Sequence, residues 1–465
     1  MSVKKMNSAK FQKYTEYSKN GFILAFGIAL IIRIINYYSL LPSRLDTLLF
    51  TFITAWAALI TVVDIFTKNF TIKKTDYFLI AFLLAILLST FVNGPSGIVD
   101  NIKLLIWQFI YLFVVYRIGR ETQFKQILSI FEKILIASWN ILVIISLGMF
   151  AVKYSNVMAF DKFYNGFRSG FVENRLYGIF SDPNFASATS VAIIFLAVKL
   201  VLSKKSTLTR VYGVITILLQ FMYVILSGSR TAEIALLICT YFAVFFLVYN
   251  RFGKSLVSKL ALAVICSIVC SGVVLGMAEA GKYAAPKISV ITTKYAPQSI
   301  RERNEEKEPV TLERNDVVNK DDVSNNRFAL WKSSFEIFQS SPLVGSSPRN
   351  MVEYAQKNLP ETFIATKKQT SHNFVFYLLA TTGLLGTLPL LAFLAIKIWN
   401  TLKHLFMRSV DDYDVYLLNV MAVLAILVSA LFLTELVLVN KIGSFIFWLY
   451  LGGLTAYEHT KIKGE

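Results

Sequence analysis

Apolar runs of roughly twenty residues recur along almost the whole chain, each closed by a short polar connection. A run of that length is what an α-helix needs to cross the hydrocarbon core of a bilayer, about 30 Å at about 1.5 Å per residue. Twelve such spans can be placed: 21–41, 46–66, 76–93, 101–118, 134–153, 184–202, 210–228, 230–250, 256–278, 373–398, 413–433 and 436–457. Backbone polar groups in lipid must be satisfied within the segment, so helices are the expected form. A soluble helical protein would need polar faces on those helices, and the runs do not supply them. Of the 465 residues, 55% are hydrophobic and 16% charged, with a mean hydropathy of +0.57; soluble domains are far more polar. The expected fold is an all-α integral membrane protein of about 12 transmembrane helices, with one large, mostly helical extracytoplasmic loop between spans 9 and 10. Residues 1–278 would hold spans 1–9, residues 279–372 the loop, and residues 373–465 spans 10–12 with a cytosolic tail.

The basic residues are one-sided. Lys4, Lys5, Lys10, Lys13 and Lys19 crowd the N-terminus, and alternate connections repeat the signal at Lys68, Lys73 and Lys74, then at Arg117, Arg120 and Lys125. It continues at Lys204, Lys205 and Arg210, at Arg251, Lys254 and Lys259, at Lys397, Lys403 and Arg408, and at Lys461 and Lys463. The positive-inside rule then puts these segments and both termini on the cytoplasmic side of the membrane. The net charge of +18 serves topology, and a nucleic-acid partner is not expected. No small-residue cleavage site follows the first apolar run, so the N-terminus reads as an uncleaved anchor. Cys239, Cys266 and Cys270 all fall inside spans, which leaves the loop without a disulfide. Neither metal-ligand spacing nor a phosphate-cradling glycine motif occurs, so no metal or other cofactor is expected.

Polar resources gather on the opposite side. They are the connection 154–183, the turn at Gly228-Ser229-Arg230, the segment 279–372 and a turn near Glu435. Residues 301–326 are densely charged and nearly free of aromatics, as in a solvated spacer or lid. From Arg327 a helix is expected, capped by Ser324, Asn325 or Asn326, with Trp331, Phe335 and Phe338 forming its apolar stripe. Residues 350–358 read as a second short helix. Arg230 either snorkels at the interface, paired to Glu233, or forms a cationic site for an anionic headgroup. Arg33 is placed deep in span 1, where an ionisable group must face the bundle interior or bond Asn36 or a carbonyl. Asp64 and Lys103 lie near span ends, within reach of water. His372 stands where the polar segment meets span 10, whereas His404 and His459 fall in cytosolic segments. It is therefore the candidate base of the outer side, sharing it with Arg175, Arg230 and Arg327. The other reading of His372 is a hydrogen-bonded structural residue at a helix start.

Several short motifs follow in order: Arg175 with Asp182-Pro183-Asn184, then Leu226-Ser-Gly-Ser-Arg230-Thr-Ala-Glu233, then Arg327 opening its helix. Pro342-Leu-Val-Gly345, Ser371-His372-Asn373-Phe374 and Gly383-Leu-Leu-Gly386 complete the set. This order resembles the O-antigen ligase/polymerase superfamily of bacterial membrane glycosyltransferases over about 175–390. The resemblance implies glycosyl transfer outside the membrane from a sugar chain carried on polyprenyl pyrophosphate. His372 would be the base or orient the acceptor, and Arg230 would bind the pyrophosphate with support from Arg327 and Arg175. Asn184 and Asn373 would hydrogen-bond sugar or phosphate, or serve as helix caps. Guanidinium forks suit pyrophosphate oxygens and could stand where other enzymes use a metal. No paired carboxylates for a covalent sugar intermediate are evident, so one-step inversion is expected.

Two reactions share such machinery. A polymerase passes a growing glycan to a lipid-linked repeat unit, and a ligase passes a finished glycan to a lipid, wall or protein acceptor. Usage rich in Lys, Asn and Ile favours a polymerase for capsule or exopolysaccharide, by association with AT-rich bacteria without an outer membrane. The partners implied are the lipid-linked oligosaccharide, the bilayer, a chain-length regulator and a flippase. A transporter or flippase is the competing class, and Arg33 is the one feature that favours it.

Overall fold

The structure, a computed structural model, describes residues 3–94, 97–121, 125–160, 163–203, 206–294, 298, 311–312, 324–410 and 412–457. Most of the expected charged spacer, 301–310 and 313–323, lies outside the described residues, as does His459. The helices are α1 (Val3–Arg33), α2 (Ser43–Phe66), α3 (Asp76–Val92), α4 (Ile98–Arg120, with a π-helical stretch at Ile110–Val115), α5 (Lys125–Ala151), α6 (Pro183–Leu202), α7 (Thr207–Leu226), α8 (Arg230–Arg251) and α9 (Leu256–Lys294). Then come α10 (Arg327–Ser340), α11 (Met351–Asn358), α12 (Phe363–Lys367), α13 (Phe374–Met407), α14 (Tyr413–Ala430) and α15 (Ile442–Tyr457). Among the described residues nine helices are long and apolar enough to cross a membrane, and α3 and α15 are shorter apolar helices packed with them. Burial covers 67% of the apolar window in α6 and α14 but 11% in α9. The first two therefore form the bundle centre and α9 its rim.

The membrane body is helical as expected, and the connection 154–183 adds a feature the periodicity did not announce. It folds into an antiparallel sheet of β1 (Ser155–Phe160), β2 (Phe163–Val172) and β3 (Arg175–Gly178) in that order. Glu173 and Asn174 take left-handed φ of 53° and 58° and pair Val172 with Arg175. This is the geometry of a two-residue hairpin turn, built without the glycine that usually signals one. The sheet fixes the end of α1, because Asn36 N–H donates to Ile179 O (2.8 Å) and Ser181 N–H to Ile34 O (2.8 Å). The Asn36 side chain adds a bond to Arg168 O at 2.7 Å. Backbone pairing to this segment replaces the helical ladder, so α1 stops at Arg33 instead of running to 41. Arg33 consequently ends a helix and is not deep within a span. It is partly exposed, 3.1 Å from Asp46, with its guanidinium over Phe50.

Other expectations shift as well. Asp64 does not reach water: it is 0% exposed and pairs with Lys19 (3.0 Å) and Arg117. Lys103 is exposed and pairs with Asp100. At 39 residues α9 is about 58 Å long, so it carries 279–294 of the expected loop as a helical extension of span 9. Span 12 begins as helix at Ile442, leaving 431–441 as an irregular connection. α10 and α11 lie where the two short helices were expected. The buried face of α10, however, is Leu330, Ser333, Ser334 and Ile337, not the aromatic stripe. Small serines allow close packing on its neighbours: Ser334 Oγ donates to Ser371 Oγ (2.7 Å), and Ile364 N–H to Ser333 Oγ (3.1 Å). Trp331 is left on the flank, stacked on Phe376 of α13.

Candidate functional site

The first turns of α6, α8, α10 and α13 meet the end of α7 at one end of the bundle. The chain leaves α7 through Ser227-Gly228-Ser229, with Gly228 at φ 60°, and enters α8 at Arg230. Ser229 caps α8 by accepting from Ala232 N–H. Arg175, at the start of β3, braces this turn: its Nε donates to Ser227 O at 2.9 Å and its Nη2 to Asn184 Oδ1 at 2.8 Å. Asp182 caps α6, its Oδ1 accepting from Asn184 N–H at 2.7 Å. Arg175 and Asn184 are thus brought together. Arg327 joins from α10, with Nη2 3.4 Å from Thr231 Oγ1 and its guanidinium 5.6 Å from the Phe432 ring. Arg230 is exposed on the first turn of α8, next to Thr231. Glu233 pairs with Lys282 of α9 at 3.0 Å, so the carboxylate expected beside Arg230 is engaged elsewhere.

His372 sits between two immobilised neighbours. Ser371 is buried and bonded to Ser334. Asn373 caps α13, its Oδ1 accepting from Val375 and Phe376 N–H (2.8 and 3.1 Å) while its Nδ2 donates to Leu431 O at 2.7 Å. Of the two roles open to Asn373, the cap is the one observed. His372 itself holds φ 46°, a left-handed conformation that costs a residue with a side chain and persists where its surroundings over-determine it. The half-buried ring makes no hydrogen bond among the described residues. Burial lowers its pKa below the usual imidazole value, with Arg327 and Lys441 adding to the effect and Asp182 opposing it. A neutral imidazole at neutral pH has a lone pair to accept a proton.

Two groups join that the sequence reading did not assign, Glu435 and Lys441 of the connection 431–441. Lys441 Nζ lies 2.9 Å from the centre of the Phe185 ring, one residue beyond Asn184. Glu435 is 1% exposed. Its position among outer turns was visible in the sequence. Its burial was not, because loop contacts between distant helices have no periodic signal.

The glycine motifs have a structural cause. α13 breaks at Gly383 (φ 57°, ψ −161°), and residues 342–347 cross the break. Ser346 and Ser347 N–H donate to Ala380 and Thr381 O (2.9 and 3.0 Å), and Leu384 N–H donates to Pro342 O (2.8 Å). A Cβ on Gly345 would lie 2.4 Å from Thr381 C, and one on Gly383 2.4 Å from Leu343 C. Pro342–Gly345 and Gly383 therefore form one joint that seats the polar segment on the membrane helices.

The class these features define is a multi-pass helical membrane protein with a cation-rich site at one end of its bundle. Residues 215–391 match the family model described as O-antigen ligase, which supports the O-antigen ligase/polymerase superfamily to which the motifs pointed. Members of that family are glycosyltransferase-like enzymes, and the match supports activity of the O-antigen ligase/polymerase type. The matched segment holds Arg230, Arg327, His372 and the glycine joint; Arg175 and Asn184 precede it. A search of curated proteins gave no match.

Proposed function

We propose that this chain polymerises polyprenyl-pyrophosphate-linked oligosaccharide repeat units into a surface polysaccharide on the outer face of a bacterial cytoplasmic membrane. The observation that carries the reading is a half-buried His372 without a hydrogen bond among the described residues, set beside Arg327 and the Arg175-braced turn that presents Arg230. The acceptor hydroxyl oxygen attacks the anomeric carbon of the donor. The bond from that carbon to the pyrophosphate oxygen breaks, and its electron pair leaves with the polyprenyl pyrophosphate. The hydroxyl proton passes to the imidazole of His372, a general-base step worth about 10²–10⁴ in rate. Arg230 and Arg327 stabilise the charge that grows on the leaving oxygens. Arg175 acts through the 227–229 turn, and Asn184 acts by holding Arg175. Displacement in one step inverts the anomeric centre, with guanidinium groups in the place of a metal.

The matched family is described as a ligase, so transfer of a finished glycan to another acceptor is the second reading. Transport loses its one favourable feature, because Arg33 ends α1 and pairs with Asp46. The test compares glycan length on extracted lipid-linked material between native protein, His372→Ala and Arg230→Ala at equal membrane abundance. Single repeat units accumulating on the carrier in both variants support the polymerase. Long chains retained on the carrier support the ligase, and normal products from both variants overturn the site.

A further inference from the structure

The connection 431–441 carries two ionisable groups that the reaction above leaves unused. It is anchored from several sides: Asn373 donates to Leu431 O, the Thr370 and Thr434 hydroxyls lie 3.3 Å apart, and Tyr111 OH donates to Asn440 Oδ1 at 2.7 Å. Leu436 and Leu438 are held at φ 74° and 61°, a strain that surrounding contacts must enforce. Between these anchors Glu435 is buried, and neither carboxylate oxygen has a hydrogen-bond partner among the described residues. Room for it exists because residue 443 is glycine; a Cβ there would lie 1.8 Å from Glu435 Oε1. A carboxylate so placed needs a neighbouring charge to answer it. That neighbour is Lys441, half-buried over Phe185 and near enough to His372 to depress its basicity.

We propose that Lys441 is a further anion-binding residue of this site, meeting the pyrophosphate of the lipid-linked donor, and that Glu435 is the positioning residue that keeps its ammonium charged. The proposal rests on the glycosyl-transfer reading, since that reading supplies the anion. Burial and Arg33 disfavour the charged form of Lys441, and Asp182 and Glu435 favour it; the balance pushes Lys441 down to about 8. Burial likewise pushes Glu435 up to about 8, with Asp182 adding and Lys441 opposing. His372 and Arg327 face the same cluster. Each of the two favours the charged form of the other, and an incoming anion adds to the negative charge that holds the proton on the Lys441 nitrogen. An ammonium is a compact phosphate binder that acts as a point charge.

The test is calorimetric binding of geranyl pyrophosphate to the full chain in lipid nanodiscs, between about pH 6 and 9. Native protein is expected to bind and to weaken as pH rises through about 8, where Lys441 loses its proton. Lys441→Met is expected to weaken binding at least about tenfold, the loss of one charged hydrogen bond. Glu435→Gln removes a charge that favours the ammonium, so its loss of binding should begin at lower pH than in native protein. A variant that merely loosened the fold would not move that limb. Arg251→Ala, at the far end of α8, should bind as native does. If Lys441→Met binds like native while Arg230→Ala is weakened, the Lys441 assignment falls and the glycosyl-transfer reading stands. An unshifted limb in Glu435→Gln removes Glu435 from the proposal. Should native protein fail to bind, both readings fall. If Lys441→Met does not give a folded protein by gel filtration and melting, the Glu435→Gln limb decides.

Discussion

Both ends of the bundle concentrate charge, and they use it differently. At the end away from the site Lys19 lies 3.0 Å from Asp64 and 3.1 Å from Glu121. Arg117 reaches the same two acids, and Arg120 takes both oxygens of Asp76 at 3.0 and 2.9 Å. Lys19, Arg117 and Arg120 are thus matched by the carboxylates of Asp64, Glu121 and Asp76. At the site end the partners described for Arg175 are a carbonyl and an amide oxygen, and for Arg327 a hydroxyl. Neutral oxygens fix a guanidinium without cancelling its charge. The first arrangement ties helices together by ion pairs, and in the second the described bonds orient guanidinium groups through uncharged oxygens.

Removing His372 should have the largest effect if that contrast is right. His372→Ala is expected to lower transfer by about 10²–10⁴ while leaving the melting temperature unchanged, since the ring makes no hydrogen bond among the described residues. The pH profile sharpens the point. The neutral ring is the working form and its pKa lies below the usual 6.5, so native activity should fall only as pH drops below 6.5. An acid limb above that value, or a large loss of stability in the variant, would return His372 to a structural role.

The other end should behave in the opposite way. Asp64→Ala leaves the buried Lys19 and Arg117 with Glu121 as their one shared carboxylate, and the unbalanced buried charge costs about 3–5 kcal/mol of stability. Thermal unfolding in detergent measures it, and donor KM in the surviving folded fraction should match native. A shifted KM with unchanged stability would erase the distinction between the two ends. Between these effects lies the joint: Gly345→Ala forces a Cβ onto Thr381 at a left-handed φ of 68°, an overpacking cost of about 1–3 kcal/mol, read by the same melting experiment.

The sequence showed the joint only as two short glycine motifs, and their pairing had to come from the fold. What was legible follows from rules with a period or a sign. Helices of bilayer length and the partition of polar motifs to one side came from apolar run length and basic residues. Arg327 and His372 share an electrostatic environment, as one-sidedness implied. The contacts that fix exact positions were not legible. Asp64 looked accessible because its partners Lys19 and Arg117 lie far away in sequence. The β-sheet lacked its usual turn glycine, and α1 was read past Arg33 because only a tertiary bridge ends it. The burial of Glu435 and Lys441 depends likewise on a loop whose anchors come from other helices.

The smallest expected effect separates a cap from a ligand at Asn373. Asn373→Ala removes the acceptor for Val375 and Phe376 N–H, a loss of about 1 kcal/mol in helix-capping experiments, and with it the bond to Leu431. Asn373→Asp keeps the acceptor and loses only the donor, so most of the stability should return. It also sets a carboxylate beside His372. A nearby anion favours the imidazolium, so the acid limb of the Asp variant should move to higher pH than native while that of the Ala variant stays in place. Equal limbs in all three proteins would place residue 373 electrostatically apart from the base. A rise in acceptor KM well beyond the stability loss of Asn373→Ala would restore the sugar-binding role that the cap geometry argues against.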